Sequence, residues 1–439
     1  MNSELRIGIA GLGTVGSSVV RLIERQSQTL SRSTGRTLRL VAVSARDKTR
    51  DRGFALDGLE WFDDPVAMAQ SPQLDVFVEL MGGDEGSARL AVEAALQAGK
   101  SVVTANKALL AKHGAALAAL AEKNSVALNY EAAVAGGIPI IKTLREAMAG
   151  NSIARISGIL NGTCNYMLSR MELEGLTYDA CLADAQALGY AEADPTFDVG
   201  GFDTAHKLAL LASLAFGTEI DAGSIYVEGI EAITPLDLKM ADELGYRIKL
   251  LGVAERTATG IEQRVHPTMV PKRLALAQVM GVTNAVSISG DAVGELTLVG
   301  PGAGGMATAS SVMSDLADLA RGFAVSPFGM PVSAQDKAER APMQRHEGGY
   351  YVRLAVLDRP GAVAAIATRM AERKISLESI VQRQPNSKST QGGDAGSVPV
   401  VMTTYATSEH AIRAAMDAVM ADGHIADKPQ LIRIERENV

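Results

Sequence analysis

The segment with the densest set of reactive side chains spans residues 187–207 and contains Glu192, Asp194, Asp198, Asp203 and Lys207. Asp203 and Lys207 are four residues apart, so on a helix they share one face. A lysine whose position is fixed by a carboxylate can donate a proton in catalysis. The same spacing is common on exposed helix surfaces, but the glycine-rich, acidic loop before this pair favours the catalytic interpretation. We therefore predict Lys207 and Asp203 as catalytic residues.

Lys107 is a second candidate for chemistry. It follows Thr104 and Asn106 at the end of a predicted strand. Ligands of open parallel sheets lie beyond the carboxyl ends of the strands, where Lys107 would reach both a cofactor and a substrate. The alternative is that Asn106 only caps the next helix and that the lysine after it is exposed.

A glycine-rich turn lies between the first apolar strand and the first helix. It consists of Gly11, Leu12, Gly13, Thr14, Val15 and Gly16. In this context the pattern is typical of a dinucleotide-binding turn, in which free N–H groups and the dipole at the helix start hold the pyrophosphate. The alternative is a tight turn without a ligand.

The second predicted strand ends at Ser44 without the acidic residue that would bind the ribose 2′-hydroxyl of NAD. Arg46 follows, with Lys48, Arg50 and Arg52 nearby. A guanidinium suits a 2′-phosphate in both charge and shape. We therefore expect Arg46 and Lys48 to bind the cofactor, with NADP(H) preferred and NAD(H) possible. A solvated basic loop, partly neutralised by neighbouring aspartates, is the alternative.

Cys164 suggests a rival chemistry. A thiol at a helix start can be activated as a nucleophile, although a buried structural role is more common for cysteine. Two cysteines in 439 residues cannot form a disulfide framework, which indicates a reducing compartment. The six histidines show no metal-ligand spacing.

The elements that must position these residues indicate three domains. Strands and helices alternate over residues 5–130, which predicts an α/β, Rossmann-type parallel sheet at 1–135 with helices on both faces. A second, α+β domain for substrate binding and dimerisation is expected at 136–305, and the helix at 306–323 is expected to complete the first domain.

The last quarter of the chain has a different pattern. Residues 324–347 contain three prolines and look like a linker. Residues 348–439 are predicted to form a ferredoxin-like unit of strand, helix, two strands, helix and strand. The polar stretch Asn386–Gly396 is expected to be a flexible hairpin loop.

Composition excludes several classes of partner. The formal net charge is −8 and only 4% of residues are aromatic, which argues against a nucleic-acid partner. No signal peptide is visible, and the apolar run Leu208–Phe216 is far shorter than the roughly 18 residues of a membrane span. We expect a soluble, cytoplasmic protein that acts on a small molecule.

The motifs together resemble those of homoserine dehydrogenases of the monofunctional type with a C-terminal ACT domain. The most specific similarity is Gly189–Lys207, and Asn161–Tyr166, Thr104–Leu109 and Gly300–Gly304 are also similar to segments of that family. The resemblance implies reversible, NAD(P)H-dependent reduction of L-aspartate 4-semialdehyde to L-homoserine, in the biosynthesis of threonine, methionine and isoleucine.

The resemblance also implies roles for individual residues. Lys207 would be the general acid and base, with Asp203 beside it and Lys107 contacting cofactor and substrate. Glu192 would bind the substrate amino group, and Asp198 is a further substrate-binding candidate. Additional cofactor contacts are expected at Gly82, Gly189 and Gly304. A monovalent cation, Na⁺ or K⁺, would be held by Glu131 and by the carbonyls of Val134, Gly136 and Ile138.

The C-terminal unit resembles an ACT module at Tyr351–Ile366 and Ile375–Gln382. Such modules commonly bind an amino acid at a paired interface, so threonine is the expected effector, near Asp358 and Gly361. The alternative is a dimerisation module without a ligand. A homodimer or homotetramer is expected.

Two other functions remain as alternatives. One is a phosphorylating semialdehyde dehydrogenase that uses Cys164, although no histidine is placed beside that thiol as a base. The other is a non-catalytic amino-acid sensor, against which the intact pair Asp203 and Lys207 argues.

Overall fold

The computed structural model describes residues 3–337, 339–382 and 397–435. The predicted loop at Asn386–Gly396 lies outside the described residues. Within them, no helix combines the length and the apolar character that crossing a membrane requires.

The N-terminal part is a six-stranded parallel sheet in the order β3-β2-β1-β4-β5-β6. Its strands are β1 (Glu4–Ala10), β2 (Thr37–Ser44), β3 (Glu60–Phe62), β4 (Val76–Glu79), β5 (Ser101–Thr104) and β6 (Leu128–Asn129). Its helices are α1 (Thr14–Thr34), α2 (Pro65–Gln70), α3 (Ser87–Gln97) and α4 (Lys107–Lys123). This sheet confirms the predicted Rossmann-type architecture.

Local signals set the ends of these helices. α1 ends at Gly35, whose φ of 75° is the left-handed conformation that glycine adopts without a steric penalty. α4 begins after Asn106, whose side chain accepts a hydrogen bond from the amide of Leu109 at 3.1 Å. Asn106 is therefore a helix cap, and Lys107 is the first residue of α4.

The middle of the chain forms a mixed sheet with its own layer of helices. The helices are α5 (Ile140–Lys142), α6 (Gly162–Glu174), α7 (Tyr178–Ala187), α8 (Thr196–Val199), α9 (Phe202–Phe216) and α10 (Pro235–Glu243). The strands are β7 (Ile153–Ile159), β8 (Tyr226–Val227), β9 (Tyr246–Thr257), β10 (Gly260–Pro271), β11 (Thr283–Gly290) and β12 (Gly294–Pro301). The order β12-β11-β7-β9-β10 is antiparallel throughout, and β8 adds to β10 in parallel.

A helix after this sheet returns to the N-terminal domain. α11 (Gly305–Arg321) packs along α1, and Val312 and Leu316 are fully buried in one apolar cluster with Ile7 and Val19. At its start, a Cβ on Gly305 would lie 2.9 Å from the carbonyl oxygen of Thr14, so the two helices approach closely. The end of the mixed sheet is thereby brought next to the first turn of α1.

The C-terminal unit is joined to the mixed sheet instead of standing apart. Its elements are β13 (Glu347–Leu357), α12 (Ala362–Glu372), β14 (Leu377–Gln382), β15 (Ser397–Thr404), β16 (Thr407–Ser408), α13 (Glu409–Ala421) and β17 (Gln430–Ile434). The order β17-β13-β15-β14 is the ferredoxin-like arrangement. Because β17 also pairs in parallel with β10, one sheet runs through both units.

Residues 324–347, expected to be a linker, instead run along the body of the protein. Phe328 is buried with its ring centroid 5.5 Å from that of Tyr130. Further along, Asp336 pairs with Thr218 and Arg340 pairs with Ile261 through isolated β-bridges. The proline content of this segment did not reveal these contacts.

Candidate active site

The central element of the site is the start of α9. Gly201 precedes the helix with φ of 88°, so the chain turns sharply into it from the acidic loop. α9 is buried along most of its length, and this includes Asp203 and Lys207, which are only 4% and 9% exposed. The predicted pair is therefore not an exposed feature of a helix surface.

Asp203 lies between two ammonium groups. Its Oδ2 is 2.7 Å from Nζ of Lys207, and its Oδ1 is 2.9 Å from Nζ of Lys107. Lys207 also donates a hydrogen bond to the carbonyl of Leu160 at 2.6 Å. The structure thus brings together the three predicted catalytic residues, which are contributed by α4 and α9.

The charges in this arrangement shift one another's pKa. Burial alone would raise the pKa of Asp203, but Lys207 and Lys107 outweigh it and hold that pKa well below its usual range. Burial lowers the pKa of the Lys207 ammonium, an effect that Asp203 opposes. Burial and the nearby Asp203 together raise the pKa of Asp198. A lysine with a lowered pKa is suited to give up and take back a proton.

Asn161 connects the two carboxylates, a role that the sequence did not reveal. Its Nδ2 donates to Oδ1 of Asp198 and to Oδ2 of Asp203, both at 2.9 Å. Its Oδ1 accepts from the amide of Cys164 at 2.9 Å and so caps α6. An asparagine directly before a helical pattern is the signal that could have identified the cap, although not the two carboxylate contacts.

A cavity of about 750 Å³ opens beside this cluster. Its wall includes the predicted residues Lys107, Asp198, Asp203, Lys207, Gly189 and Gly304. Glu192 is not part of this wall, and its side chain is exposed.

Asn284 also lines the cavity, and no sequence signal pointed to it. It is 1% exposed, and neither amide atom of its side chain finds a hydrogen-bond partner among the described residues. A buried amide without partners is what a ligand or a water molecule would satisfy.

The glycine-rich turn has the backbone geometry of a phosphate cradle. Gly11 has φ of 98°, and a Cβ there would lie 2.4 Å from the carbonyl oxygen of Leu80. A Cβ on Gly16 would lie 1.9 Å from the carbonyl oxygen of Gly11. Both positions therefore require glycine, and α1 begins at Thr14 with its first N–H groups free for an anion.

The basic loop after β2 contains two kinds of side chain. Arg46 and Lys48 are exposed. Arg52 donates to the carbonyls of Leu12, Arg50 and Asp47, at 3.3, 2.8 and 2.5 Å. Arg52 therefore holds the loop against the glycine-rich turn, whereas the Lys48 ammonium lies over the ring of Trp61, 5.9 Å from its centroid.

Gly82 lies at the carboxyl end of β4. Glu79, fully buried at the end of that strand, accepts hydrogen bonds from the amides of Met81 and Gly82 at 2.7 and 3.0 Å. Thr104 donates to the same carboxylate at 2.6 Å. This anchor, which the sequence did not indicate, fixes the loop that carries Gly82 at the ligand edge of the sheet.

The predicted cation-binding loop is buried behind the cavity. The Glu131 carboxylate accepts from the amides of Ile141 and Lys142 at 2.8 and 2.9 Å, and the Gly136 carbonyl accepts from Ser311 at 2.7 Å. Burial and the neighbouring Asp315 raise the pKa of Glu131 to about 7. No group of three or more His, Cys, Asp or Glu side chains is placed to hold a metal ion among the residues that the structure describes.

Cys164 does not have the environment of a nucleophile. Its side chain is fully buried and its Sγ donates to the carbonyl of Asp198 at 3.2 Å. Burial, together with Asp198 and Asp203, raises the pKa of the thiol well above its ordinary value. Since the thiolate is the reactive form, this geometry argues against the rival chemistry.

Comparison with known proteins identifies the family. The family model "Homoserine dehydrogenase" matches residues 139–317, and "Homoserine dehydrogenase, NAD binding domain" matches residues 11–131. A homoserine dehydrogenase of Pseudomonas aeruginosa is 42% identical over 442 residues, covering 99% of each chain. One from Mycobacterium tuberculosis is 42% identical over 439 residues, covering 98% of each chain.

Solved structures agree with these sequence matches. The crystal structure of a homoserine dehydrogenase from Thiobacillus denitrificans has a TM-score of 0.91 and 40% identity, with 98% of each chain covered. A hyperthermophilic archaeal homoserine dehydrogenase in complex with NADPH has a TM-score of 0.63 and 28% identity, covering 73% of this chain and 98% of the other. By the family models, the full-length relatives and the shared fold, the chain belongs to the homoserine dehydrogenase family of oxidoreductases.

Proposed function

We propose that this protein reduces L-aspartate 4-semialdehyde reversibly to L-homoserine, with proton transfer at Lys207. The observation that carries this proposal is the placement of Asp203 between the ammonium groups of Lys107 and Lys207, in the wall of a cavity of about 750 Å³. The reaction would serve the biosynthesis of threonine, methionine and isoleucine.

The chemistry assigns a separate task to each charged group. A bound nicotinamide supplies or accepts the hydride at the substrate carbon. Lys207 gives its proton to the carbonyl oxygen as negative charge develops there, and it takes the proton back in the reverse direction. Lys107 adds positive charge beside the same oxygen, and Asp203 holds both ammonium groups in place.

The substrate's own ammonium group needs a carboxylate. Asp198 lines the cavity and is proposed for this contact. The role expected of Glu192 stays a prediction, because its exposed side chain is not part of the cavity wall.

The absorbance of reduced cofactor, followed with homoserine plus NADP, tests this proposal. We expect Lys207→Ala to lower kcat by about 10²–10⁴-fold while NADPH still binds, because only the proton carrier is lost. Lys249→Met is a matched control: Lys249 is buried at 1% exposure on β9, where burial lowers its pKa to about 8. Near-normal turnover of Lys207→Ala, or an equal loss in the control, would refute the role.

We also propose a preference for NADP(H), carried by Arg46 and Lys48 at the edge of the glycine-rich turn. The NADPH complex of the archaeal relative supports this direction. Arg46→Ala should raise KM for NADPH and leave KM for NADH nearly unchanged, whereas Arg52→Lys should affect both, because Arg52 holds the loop itself. Equal effects of Arg46→Ala on the two cofactors would refute the assignment.

A monovalent cation at Glu131 and the carbonyls of Val134, Gly136 and Ile138 remains part of the proposal. These are hard oxygen donors, which suit such an ion. The neighbouring Asp315 is fully buried and pairs with Lys142 at 3.3 Å, so Glu131 and Asp315 together bring two carboxylates to this loop. Thermal unfolding in NaCl, KCl and choline chloride tests this. A melting temperature that is the same in all three salts would refute the proposed cation site.

We propose that the ferredoxin-like unit is an ACT module that responds to threonine near Asp358 and Gly361, in a homodimer or homotetramer. Gly361 caps α12 with φ of 92°, and Asp358 is exposed in the same turn. Removing residues 348–439 would expose the edge of β10, so point variants are the better test. Threonine should inhibit the wild type and not Asp358→Ala. If threonine inhibits neither protein, the regulatory role is refuted and the alternative of a dimerisation module without a ligand is favoured.

A further inference from the structure

We propose that Asn161 is a positioning residue for proton transfer. Its NH₂ group donates one hydrogen bond to Asp198 and one to Asp203, which keeps both carboxylates ionised and in place beside Lys207. This inference deepens the proposed function and rests on Lys207 being the proton carrier.

The hydrogen bonds of Asn161 fix the orientation of its amide. The backbone N–H of Cys164 can only donate, so the atom that it contacts must be Oδ1 of Asn161. The other atom is then Nδ2, with one hydrogen for Asp198 and one for Asp203, each at 2.9 Å. Asn161 is 6% exposed in the wall of the cavity, and both hydrogens of its NH₂ group are used within the protein.

The neighbouring backbone contacts the same cluster. Leu160, the residue before Asn161, accepts the hydrogen bond from Nζ of Lys207. The two residues after β7 therefore hold both members of the predicted pair, one through its carbonyl and the other through its side chain. A shift of this short segment would move Asp203 and Lys207 together.

The electrostatic reason for such a clamp is the closeness of like charges. The charged groups around Lys207 are Asp203 on α9, Lys107 on α4 and Asp198 on α8. Two carboxylates balance two ammonium groups only if both carboxylates are ionised. Burial and the nearby Asp203 raise the pKa of Asp198, and the hydrogen bond from Asn161 opposes that shift. The second N–H of Asn161 contributes to the lowered pKa of Asp203, so the two donors favour the ionised forms of both carboxylates.

Other titratable groups around the cluster do not supply this stabilisation. His206 on α9 is half-buried, and burial lowers its pKa, which favours the neutral ring. Cys164 on α6 has a raised pKa and stays a neutral thiol, and Glu231 is a more remote acidic neighbour of that thiol. Asn161 is thus the uncharged donor that reaches both carboxylates.

Capping of α6 does not account for this geometry. A cap needs only Oδ1, and aspartate caps helices as well as asparagine does. Asn161→Asp therefore keeps the cap, replaces two donors by an acceptor and adds a negative charge next to Asp203. Asn161→Ser keeps a capping oxygen and removes the donors without adding charge.

The test is the pH profile of homoserine oxidation by the full-length enzyme, in which Lys207 must begin unprotonated. An added negative charge raises the pKa of Lys207, so we expect Asn161→Asp to move the rising limb of kcat up by about one pH unit or more. Its maximal kcat should fall by about 10–100-fold through misplacement of the pair, with the KM for NADP little changed.

Asn165→Asp is the matched control, because it makes the same change one turn further along α6. There the carboxamide contacts Lys249 and backbone carbonyls, away from the cluster. We expect the rising limb of its kcat–pH profile to stay at the wild-type pH. A profile of Asn161→Asp that coincides with the wild type, or an equal shift in Asn165→Asp, would overturn the inference.

Asn161→Ser keeps the inference testable if the aspartate variant does not fold. Its kcat should fall while NADPH binding is kept, and a normal kcat would overturn the inference. Failure of the proposed function gives a different result, since Lys207→Ala would then be active whatever the Asn161 variants do.

Discussion

Two buried charge clusters of this protein differ in whether their charged groups retain unused hydrogen-bonding capacity. The cleft cluster consists of Lys107, Asp203 and Lys207. The seam cluster consists of Glu228, Glu409 and Arg433, where β17 of the C-terminal unit meets β10. The side chains of Arg433 and Glu409 are 2% exposed and that of Asp203 is 5% exposed. Each cluster also has one more exposed member, Glu228 at 33% and Lys107 at 32%.

The charged groups of the seam cluster are bonded to one another and to neighbouring side chains. Arg433 binds Glu409 through Nε at 3.1 Å and Nη2 at 2.5 Å, and it also pairs with Glu228. Tyr350 donates to Glu409 at 2.9 Å and Arg413 pairs with it at 2.7 Å. These partners raise the pKa of Arg433 despite its burial, so its charge is held permanently.

The cleft cluster is arranged in the opposite way. Burial lowers the pKa of Lys207, and its ammonium group, with three donors, makes two hydrogen bonds within the protein. The cavity lies beside it. The comparison teaches that a buried charge is a candidate for catalysis when it retains bonding capacity next to a cavity, and a structural feature when its partners saturate it.

Arg433→Met should produce the largest change in stability, because it removes the buried cation of Glu228 and Glu409 and leaves them with Arg413, whose side chain is 43% exposed. Breaking one partner of a buried ion pair costs about 3–5 kcal/mol. The midpoint of urea unfolding measures this loss, and kcat of the folded fraction should stay near that of the wild type. Lys207→Met should lower kcat strongly and change the stability little, because Asp203 still contacts Lys107 and Asn161. A seam variant that loses activity without losing stability would break the comparison.

Asp203→Asn should lower kcat by about a hundredfold, because both ammonium groups lose the carboxylate that positions them. Its pH dependence has a defined sign. Burial lowers the pKa of Lys207 and Asp203 opposes that effect, so removing the carboxylate lowers the pKa further. The rising limb of homoserine oxidation should therefore move to lower pH. A limb that moves up would contradict the assignment of that limb to Lys207.

The Rossmann-type fold and the centre of the candidate site could be predicted because their signals are local. Asp203 and Lys207 are four residues apart on one helix, and the glycine-rich turn is a single contiguous motif. Pairing of β17 with β10 depends on residues far apart in sequence, and no local pattern marks it. The two carboxylate contacts of Asn161 likewise depend on where α8 and α9 pack. The position of Glu192 outside the cavity wall follows from the path of an irregular loop, which composition does not fix.

The seam cluster should also control stability in acid. The pKa of Glu228 is lowered in the folded protein: burial would raise it, but Arg433 outweighs that effect. A carboxyl group with a depressed folded pKa stabilises the protein above its unfolded pKa, and this contribution is lost as the pH falls through the folded value. Glu228→Gln should therefore be less stable than the wild type at neutral pH and lose less stability on acidification. Parallel stability curves of the two proteins from neutral to acid pH would contradict this.

The smallest effect is expected for Cys164→Ala, which sharpens the comparison because Cys164 lies beside the cleft cluster and takes no part in its charge balance. Its thiol is fully buried with a raised pKa, so it is neutral at the pH of catalysis. Loss of one sulfur atom from the core should cost about 1 kcal/mol of stability. The kcat and KM for homoserine should stay near wild-type values, and added phosphate should not change the rate. Loss of turnover in Cys164→Ala with the fold intact would show that the thiol takes part in the reaction, despite a raised pKa that disfavours the thiolate.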